Sequence, residues 1–369
     1  MGDLGPARRT RALSAVFGSV LLVVVVGAGW ACGSSSGEHA GPGTADASPD
    51  ATTSDAPSDG AIDGGDLGDA LADGASGDYG PAQIVAKDLH ALWEIACDEQ
   101  AAFVTVEGAA SLSTVLRIAD GAAPAPLASS QYKGRYPVVD DARVYWLAGE
   151  TSGGYSYLRA TSKDDGGAPT SYFPDGFGSN LYSSLAREGT TLAFYASTGG
   201  GRIFRGLTDG GGADVATSQG SVPGLALDGA YVYWLSTTGD VLRSAKTDGT
   251  APETFLAGAG ATAIAVADSE AFFTSDDGQL RALSTATPGG LPRVVAGGLD
   301  LARKLALDTK RAFWVNTSTG SIATVPLMGG TPVVIGSGAA GSSIAVCANA
   351  IWFTDPAKGD VLRVARNGG

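Results

Sequence analysis

Short apolar runs separated by polar turns fill residues 81–369, and the order of runs and turns repeats along the chain. One unit reads "GLALDGAYVYWLSTTGDVLRSAKTDGTAPETFLAG", and its parts return as "AIAVADSEAFFTSDDGQLRALSTATPGG" and "LALDTKRAFWVNTSTGSIATVPLMGG". The apolar runs are nearly continuous rather than alternating, which is typical of β-strands that are covered on both faces.

The repeats can be counted from the residue that opens the turn between the first two strands of each unit, which we name the anchor position. The anchors are Asp98, Asp140, Gly189, Asp228, Asp268, Asp308 and Cys347. Successive anchors lie 42, 49, 39, 40, 40 and 39 residues apart. An aromatic residue stands five positions after every anchor, at Phe103, Tyr145, Phe194, Tyr233, Phe273, Phe313 and Trp352.

Each unit of about 40 residues predicts four β-strands, which is the content of one blade of a β-propeller. The last unit stops after its third strand, whereas a spare strand, "PAQIVAK" at residues 81–87, precedes the first unit. We therefore predict an all-β fold, a seven-bladed β-propeller in which the N-terminal strand closes the last blade and leaves no open edge. A six-bladed ring is the alternative, if the irregular second and third repeats share a blade.

Phrases such as "VYWLSTTGDVLRSAKTDG" and "IWFTDPAKGDVLRVARNGG" resemble the YWTD repeats of low-density-lipoprotein-receptor-type propellers and of bacterial secreted propeller lipoproteins of uncharacterised function. The resemblance covers residues 81–369 and implies the fold, but it implies little about function because one fold hosts many functions. YWTD domains have six blades, and in this sequence only Trp352-Phe353-Thr354-Asp355 partly matches the YWTD motif.

The N-terminus predicts export. Residues 1–31 combine Arg8, Arg9 and Arg11 with an apolar stretch too short for a comfortable membrane span, which is the layout of a signal peptide. Cys32 directly follows Gly29-Trp30-Ala31, so residues 1–31 resemble a lipoprotein signal with Cys32 as the lipidated residue. The alternatives are an ordinary signal peptide that is cleaved nearby and an uncleaved membrane anchor. The expected location is the outer membrane as a lipoprotein, or the periplasm or cell surface.

Residues 32–80 form a segment rich in Asp, Ala, Gly and Ser, which cannot bury enough apolar surface to fold and is expected to be a disordered tether. Of the total charge of −14, residues 1–31 carry +2 and residues 33–80 carry −10, which leaves −6 for the propeller. An acidic chain of this kind argues against a nucleic-acid partner.

No pattern of catalytic or metal-ligating residues is present, so we assign no catalytic residue, no metal site and no cofactor, and an enzyme is less expected than a binding module. The anchor aspartates are interpreted as turn-stabilising groups rather than a carboxylate ring. His90 has no evident His or Glu partner at an equivalent repeat position, although a propeller hydrolase or lyase remains an alternative.

Cys97 and Cys347 occupy nearly equivalent positions in the first and last repeats. These repeats are neighbours only if the ring closes. In an oxidising compartment the two thiols can form a disulfide across the seam, or they can remain buried apolar thiols that lie too far apart to bridge.

The connections of the first three repeats are long and aromatic, and they hold the candidate binding patch of Tyr132, Arg135, Tyr136, Tyr155 and Phe177. Tyr and Arg are enriched in the energetic centres of protein interfaces. We therefore expect a non-catalytic, monomeric recognition or scaffold module of the cell envelope, which contacts the membrane only through its lipid anchor and binds an envelope or extracellular protein. A carbohydrate-binding module is a further alternative, and the loops could instead fold over and plug an irregular blade pair.

Overall fold

The computed structural model describes residues 78–150, 155–177, 182–197, 200–247 and 251–367, together with Val23–Val24; for residues 23, 24, 173–177 and 182 only the backbone is described. The described part consists mainly of β-strands and turns, with a 3₁₀ turn at Ala109–Ser111. None of its helices is long and apolar enough to cross a membrane.

The strands form six antiparallel sheets, which we number along the chain. Sheet 1 holds Leu92–Cys97, Ala101–Glu107, Leu112–Ala119, Ala125–Val139, Arg143–Gly149, Ser156–Ser162 and Gly166–Phe177. Sheet 2 holds Tyr182–Glu188, Thr191–Ala196, Arg202–Leu207 and Gly212–Thr217. Sheet 3 holds Leu225–Leu227, Tyr231–Leu235, Val241–Ala245 and Glu253–Leu256.

The remaining sheets follow the same order of strands. Sheet 4 holds Ala261–Ala267, Glu270–Ser275, Gln279–Ser284 and Arg293–Gly297. Sheet 5 holds Ala302–Leu307, Arg311–Asn316, Ser321–Pro326 and Val333–Ser337, with the short strand Val23–Val24 paired along Ala306 and Leu307. Sheet 6 holds Ile344–Cys347, Ala350–Asp355, Asp360–Arg366 and, at its outer edge, Tyr79–Ala86.

The hydrophobic core lies between successive sheets. Side chains from neighbouring sheets form shared apolar clusters, and a further cluster lies between the two halves of sheet 1. The aromatic residues five positions after the anchors all belong to this core, with exposures of 2% or less. These aromatics therefore pack in the core, and the nearly continuous apolar sequence of the strands follows from their coverage on both faces.

The first strands of the units contact one another in sequence order, and the series returns to its start. Leu92–Cys97 contacts Ala125–Val139, which contacts the first strand of sheet 2, and each later first strand contacts the next one through sheets 3 to 6. Ile344–Cys347, the first strand of sheet 6, in turn contacts Leu92–Cys97. The N-terminal and C-terminal repeats of the folded part are therefore neighbours in space.

The spare N-terminal strand pairs with the last sheet, as the repeat pattern predicts. Tyr79–Ala86 runs antiparallel to Asp360–Arg366, from Tyr79 opposite Arg366 to Ala86 opposite Val361. The strand begins two residues earlier than residues 81–87 of the prediction. Tyr79 is buried against Phe313 of sheet 5, at a ring-centroid distance of 6.4 Å, and this contact explains the earlier start.

Sheet 1 departs from the predicted pattern, because the stretch "SSQYKGRYP", interpreted as a loop, lies inside the single strand Ala125–Val139. The first part of this strand pairs with Leu112–Ala119 and the second part pairs with Arg143–Gly149. Register shifts occur in both ladders. β-Bulges of this kind bend a strand and allow one strand to serve two partners.

The antiparallel order gives the molecule two faces. The anchor face carries the turns at the anchor positions, and the loop face carries the opposite ends of the same strands. Both ends of the folded chain leave at the anchor face, where Asn367 N donates to Asp78 O at 2.8 Å. There the guanidinium of Arg366 pairs with the carboxylate of the anchor Asp308 at 2.5 Å.

Candidate recognition site

The predicted patch residues Tyr132 and Arg135 lie on the loop face of sheet 1. Tyr132 stands opposite Leu112 on one side and Gly149 on the other, and Arg135 stands opposite Leu147. Strand register continues this row outward, since Gly149 pairs with Ser156 and Ser156 pairs with Phe177. The row therefore crosses both halves of sheet 1 at one end of its strands.

Arg135 is held by two partners on the same sheet. Its guanidinium carbon lies 3.2 Å from the centroid of the Trp93 ring, and its Nη2 donates to Glu107 Oε2 at 2.7 Å. The side chains of Arg135 and Glu107 are 18% and 21% exposed, and Trp93 is 38% exposed. A stacked and ion-paired guanidinium of this kind is oriented before any ligand arrives.

Further aromatic and polar side chains flank this group. Tyr155 is 48% exposed, and Lys133 Nζ lies 5.3 Å from the Tyr132 ring centroid. The Tyr157 hydroxyl donates to Glu150 Oε1 at 2.8 Å, and this hydrogen bond raises the pKa of Tyr157 above its ordinary value. The loop face of sheet 1 thus presents aromatic rings beside ionised groups.

The prediction that Tyr136 belongs to the surface patch is wrong. It is 6% exposed and packs in the cluster that contains Tyr145, Leu147 and Tyr172. The physical reason is the bulged strand, because the register shift between Arg135 and Val138 turns Tyr136 into the core. The backbone of Phe177 ends the strand Gly166–Phe177, and its side chain lies outside the described part of the chain.

A buried polar group lies under this surface. Arg159 Nη1 donates to Gln131 Oε1 at 2.8 Å, and Gln131 stands opposite Ser113 in the ladder. Within the described residues, Ser113 Oγ and Arg159 Nε are buried without a hydrogen-bond partner. Buried polar atoms are usually paired, so such exceptions mark a part of the sheet that is not optimised for stability alone.

Backbone strain is concentrated in the same region. Non-glycine residues with φ between +48° and +59° occur at Ala91, Ala110, Ser111, Ser130, Lys133 and Tyr136, on the segments that carry Trp93, Glu107 and Arg135. Each such residue costs roughly 1 kcal/mol or more, and the cost persists where the surroundings impose the conformation, often at functional sites. Strain and orphaned polar atoms therefore point to the same end of sheet 1.

Four of the five anchor aspartates stabilise their turns, as predicted; the exception is Asp268, which lies in a shorter turn with a φ of +48°. Asp140 Oδ1 accepts from the N–H groups of Ala142 and Arg143 at 2.8 and 2.7 Å, and the turns at Asp98, Asp228 and Asp308 repeat this geometry. Asp140 Oδ2 accepts the Tyr145 hydroxyl at 2.9 Å. Burial, followed by this hydrogen bond, raises the pKa of Tyr145 above its ordinary value.

Cys97 and Cys347 form a disulfide with Cα atoms 6.1 Å apart. The bond joins the first strands of sheets 1 and 6 across a sequence separation of 250 residues. Beside it, Asn349 Nδ2 donates to Glu99 O at 2.7 Å. The disulfide lines a cavity of about 230 Å³ on the anchor face, opposite the candidate patch.

His90 is exposed in the turn between Tyr79–Ala86 and Leu92–Cys97, and it makes no side-chain hydrogen bond to any described residue. Among the described residues, no group of three or more His, Cys, Asp or Glu side chains is arranged to hold a metal ion.

Comparison with known proteins identifies the fold. No family model and no curated protein matches the sequence. The chain is similar in structure to YCF48 bound to D1 peptide, with 13% sequence identity, a TM-score of 0.57, and coverage of 78% of this chain and 98% of that chain. YCF48 is a β-propeller protein. The chain has the β-propeller fold.

Two further solved structures are similar to this propeller. The computationally designed Ika8 protein has 14% sequence identity and a TM-score of 0.52, with 77% of this chain and 98% of that chain covered. A chain of the nidogen/laminin complex has 16% identity and a TM-score of 0.48, with 69% and 96% covered.

Sequence reasoning missed Trp93 and Glu107. Trp93 is the second residue of the apolar strand "LWEIAC", and Glu107 is the last residue of the strand "AAFVTVE". The sequence pattern therefore indicated that both residues belong to core strands. A usable signal existed for Trp93, because it and Arg135 both stand five residues before an anchor, at Asp98 and Asp140.

Proposed function

We propose that this protein is a non-catalytic recognition module of the bacterial cell envelope. Residues 1–31 are a lipoprotein signal, Cys32 carries the lipid, residues 32–80 are the tether, and residues 81–369 are a propeller of seven blades that acts as a monomer. Sheet 1 supplies two of the seven blades through the shared strand Ala125–Val139, and the outer membrane is the proposed location.

The observation that carries the proposal is the oriented aromatic and arginine group on the loop face of sheet 1. Trp93, Arg135 and Tyr155 are the residue types that dominate binding energy in protein interfaces. The group lies where backbone strain and unpaired buried polar atoms also collect. The same fold is bound to a peptide in YCF48.

Topology supports an orientation for this module. The tether joins the propeller at Asp78, on the anchor face, whereas the patch lies at the opposite ends of the strands. A tether from Cys32 would therefore attach on the face opposite the patch and leave the loop face uncovered, so that an envelope or extracellular protein can reach it.

Site-specific photo-crosslinking in cells tests the proposal. A photoreactive phenylalanine analogue replaces Tyr155 on the loop face or, as the matched control, Met328 at an exposed turn away from that face; these side chains are 48% and 87% exposed. We expect a discrete protein adduct from position 155 and none from position 328. Adducts only from position 328, or no protein adduct from position 155, would contradict the proposal.

A carbohydrate is the second candidate ligand, because the half-exposed Tyr155 ring could stack on a sugar. The stacking of Arg135 over Trp93 favours a protein, since the guanidinium covers one face of the only exposed tryptophan in the described residues. Binding to envelope glycan fragments that disappears on Tyr155→Ala, with no protein adduct, would select the carbohydrate.

A further inference from the structure

Five residues occupy one equivalent position, five residues before an anchor, on the loop-face side of the first strand of a unit. They are Trp93, Arg135, Pro223, Arg303 and Ser342, and in each of these units the residue two before the anchor pairs with the core aromatic. The turns at Gly189 and Asp268 are shorter, so Ser184 and Ala263 fall out of this register. Because the first strands contact one another around a closed series, these residues encircle the centre of the loop face. Arg135 and Arg303 are therefore two cationic members of a single ring of positions.

β-Bulges occur next to several of these positions. The register shifts between Leu92 and Ile95, between Tyr132 and Arg135, and between Ala302 and Lys304. A bulge places two residues opposite one and re-aims a side chain, and bulges recur beside binding sites. The backbone thus departs from regular pairing where Trp93 and both arginines stand.

Arg135 retains donors for a ligand. A guanidinium has five N–H donors, and a single one is accounted for by the contact with Glu107. The stack on Trp93 and the ion pair fix the plane of the guanidinium. Because the side chain is already ordered, a second, bidentate partner binds at a lower cost in conformational entropy.

Arg303 is the less constrained of the two. It is exposed and lines a cavity of about 200 Å³ on the loop face, together with Pro223, Thr262 and Asp276. Within the described part of the chain its guanidinium forms no hydrogen bond or ion pair, and Asp276 is not within 4.0 Å of it.

We infer that the centre of the loop face binds an acidic peptide segment, with peptide carboxylates on Arg135 and Arg303 and apolar side chains against Trp93 and Tyr155. This inference rests on the proposed function and names the chemistry of the partner. Arginine matches the planar, two-oxygen geometry of a carboxylate. Arg135 shares its charge with Glu107, whereas Arg303 has no ion-pair partner among the described residues, so Arg303 supplies the unpaired positive charge that favours acidic segments.

Selection from a random peptide library displayed on phage tests the inference with the intact exported protein. We expect the selected peptides to be enriched in Asp and Glu and to bind the purified protein less tightly as salt is raised. Arg303→Gln and Arg135→Gln should each weaken a selected peptide by about tenfold or more, because each removes a charged hydrogen-bond donor.

Three variants separate recognition from folding. Arg135→Lys keeps the charge but loses the planar fork, and should restore part of the binding lost in Arg135→Gln. Arg303→Gln removes no described contact, so its thermal unfolding should match that of the unaltered protein. Lys310→Gln, an exposed cation on the anchor face, is the matched charge control and should bind the peptide normally.

The outcomes distinguish the two proposals. Selected peptides without acidic residues whose binding is lost on Tyr155→Ala would overturn the acidic chemistry and leave loop-face recognition standing. Peptides whose binding survives all loop-face substitutions but falls with Lys310→Gln would overturn both. A library that yields no binder contradicts the inference as well.

Discussion

A single carboxylate organises each regular turn on the anchor face. Asp140 accepts two backbone N–H groups with one oxygen and the hydroxyl of Tyr145 with the other. Tyr145 is 1% exposed, so its hydroxyl has no ready access to water as a substitute. Where the aromatic residue five positions later is a tyrosine, at Tyr145 and Tyr233, the turn carboxylate therefore also fixes the packing side chain.

Removal of this carboxylate is expected to cost stability. Asp140→Ala leaves a buried hydroxyl and two turn N–H groups without their acceptor, so the free energy of unfolding should fall by about 1–3 kcal/mol. Asp141→Ala is the matched control, because Asp141 is exposed beside Asp140 and accepts no described hydrogen bond; it should change stability by less than about 0.5 kcal/mol. Urea unfolding measures both. Equal effects of the two substitutions would contradict this interpretation of the anchor aspartates.

At this scale the sequence predicts the turns and the core better than the surface. The Asp and aromatic pairs recur at fixed spacing, and spacing is visible in one sequence. The prediction of Tyr136 as a surface residue was wrong because the direction of its side chain depends on a bulge. Trp93 and Glu107 were not predicted because their partner Arg135 lies in another strand, 28 residues from Glu107. Local pattern cannot show which distant side chains a ladder brings together.

At the scale of elements, two devices join the last unit to the first. The strand Tyr79–Ala86 completes sheet 6, and the disulfide between Cys97 and Cys347 fastens sheets 6 and 1 at their first strands. Both connect residues that are far apart in sequence. An edge left unpaired at Asp360–Arg366 would offer a template for aggregation, and the N-terminal strand covers it.

The disulfide should contribute strongly to stability. In the chain-entropy model, a bridge that closes a loop of this length stabilises the folded state by about 5 kcal/mol. The double substitution Cys97→Ser and Cys347→Ser should therefore lower the midpoint of urea unfolding, and reduction of the unaltered protein should produce a shift of similar size. An unchanged midpoint in the double variant would show that the strand pairing alone closes the ring.

The elements were predicted well where the repeat is regular and less well in sheet 1. The strands of sheets 3 to 6 follow uninterrupted apolar runs bounded by turns, which is the strongest strand signal. The strand Ala125–Val139 was not predicted because the stretch "SSQYKGRYP" is polar and ends in a proline. Left-handed residues at Ser130 and Lys133 interrupt its extended backbone, and the register shifts in both ladders accommodate them.

At the scale of the whole molecule, the alternation of strand direction separates attachment from recognition. The chain enters and leaves at the anchor face, beside Asp308 and Arg366. Trp93, Arg135 and Tyr155 lie on the loop face, at the other ends of the strands. The propeller therefore separates Asp78, where the proposed tether joins, from the proposed partner by the full length of a blade.

Amide hydrogen exchange of the protein alone and with its crosslinked or peptide partner tests this division most directly. The account predicts slower exchange on binding at the loop-face segments 107–113, 131–135 and 155–157, with no change at the anchor turns 98–101, 140–143 and 308–311. Protection of the anchor turns, with the loop-face segments unchanged, would contradict it.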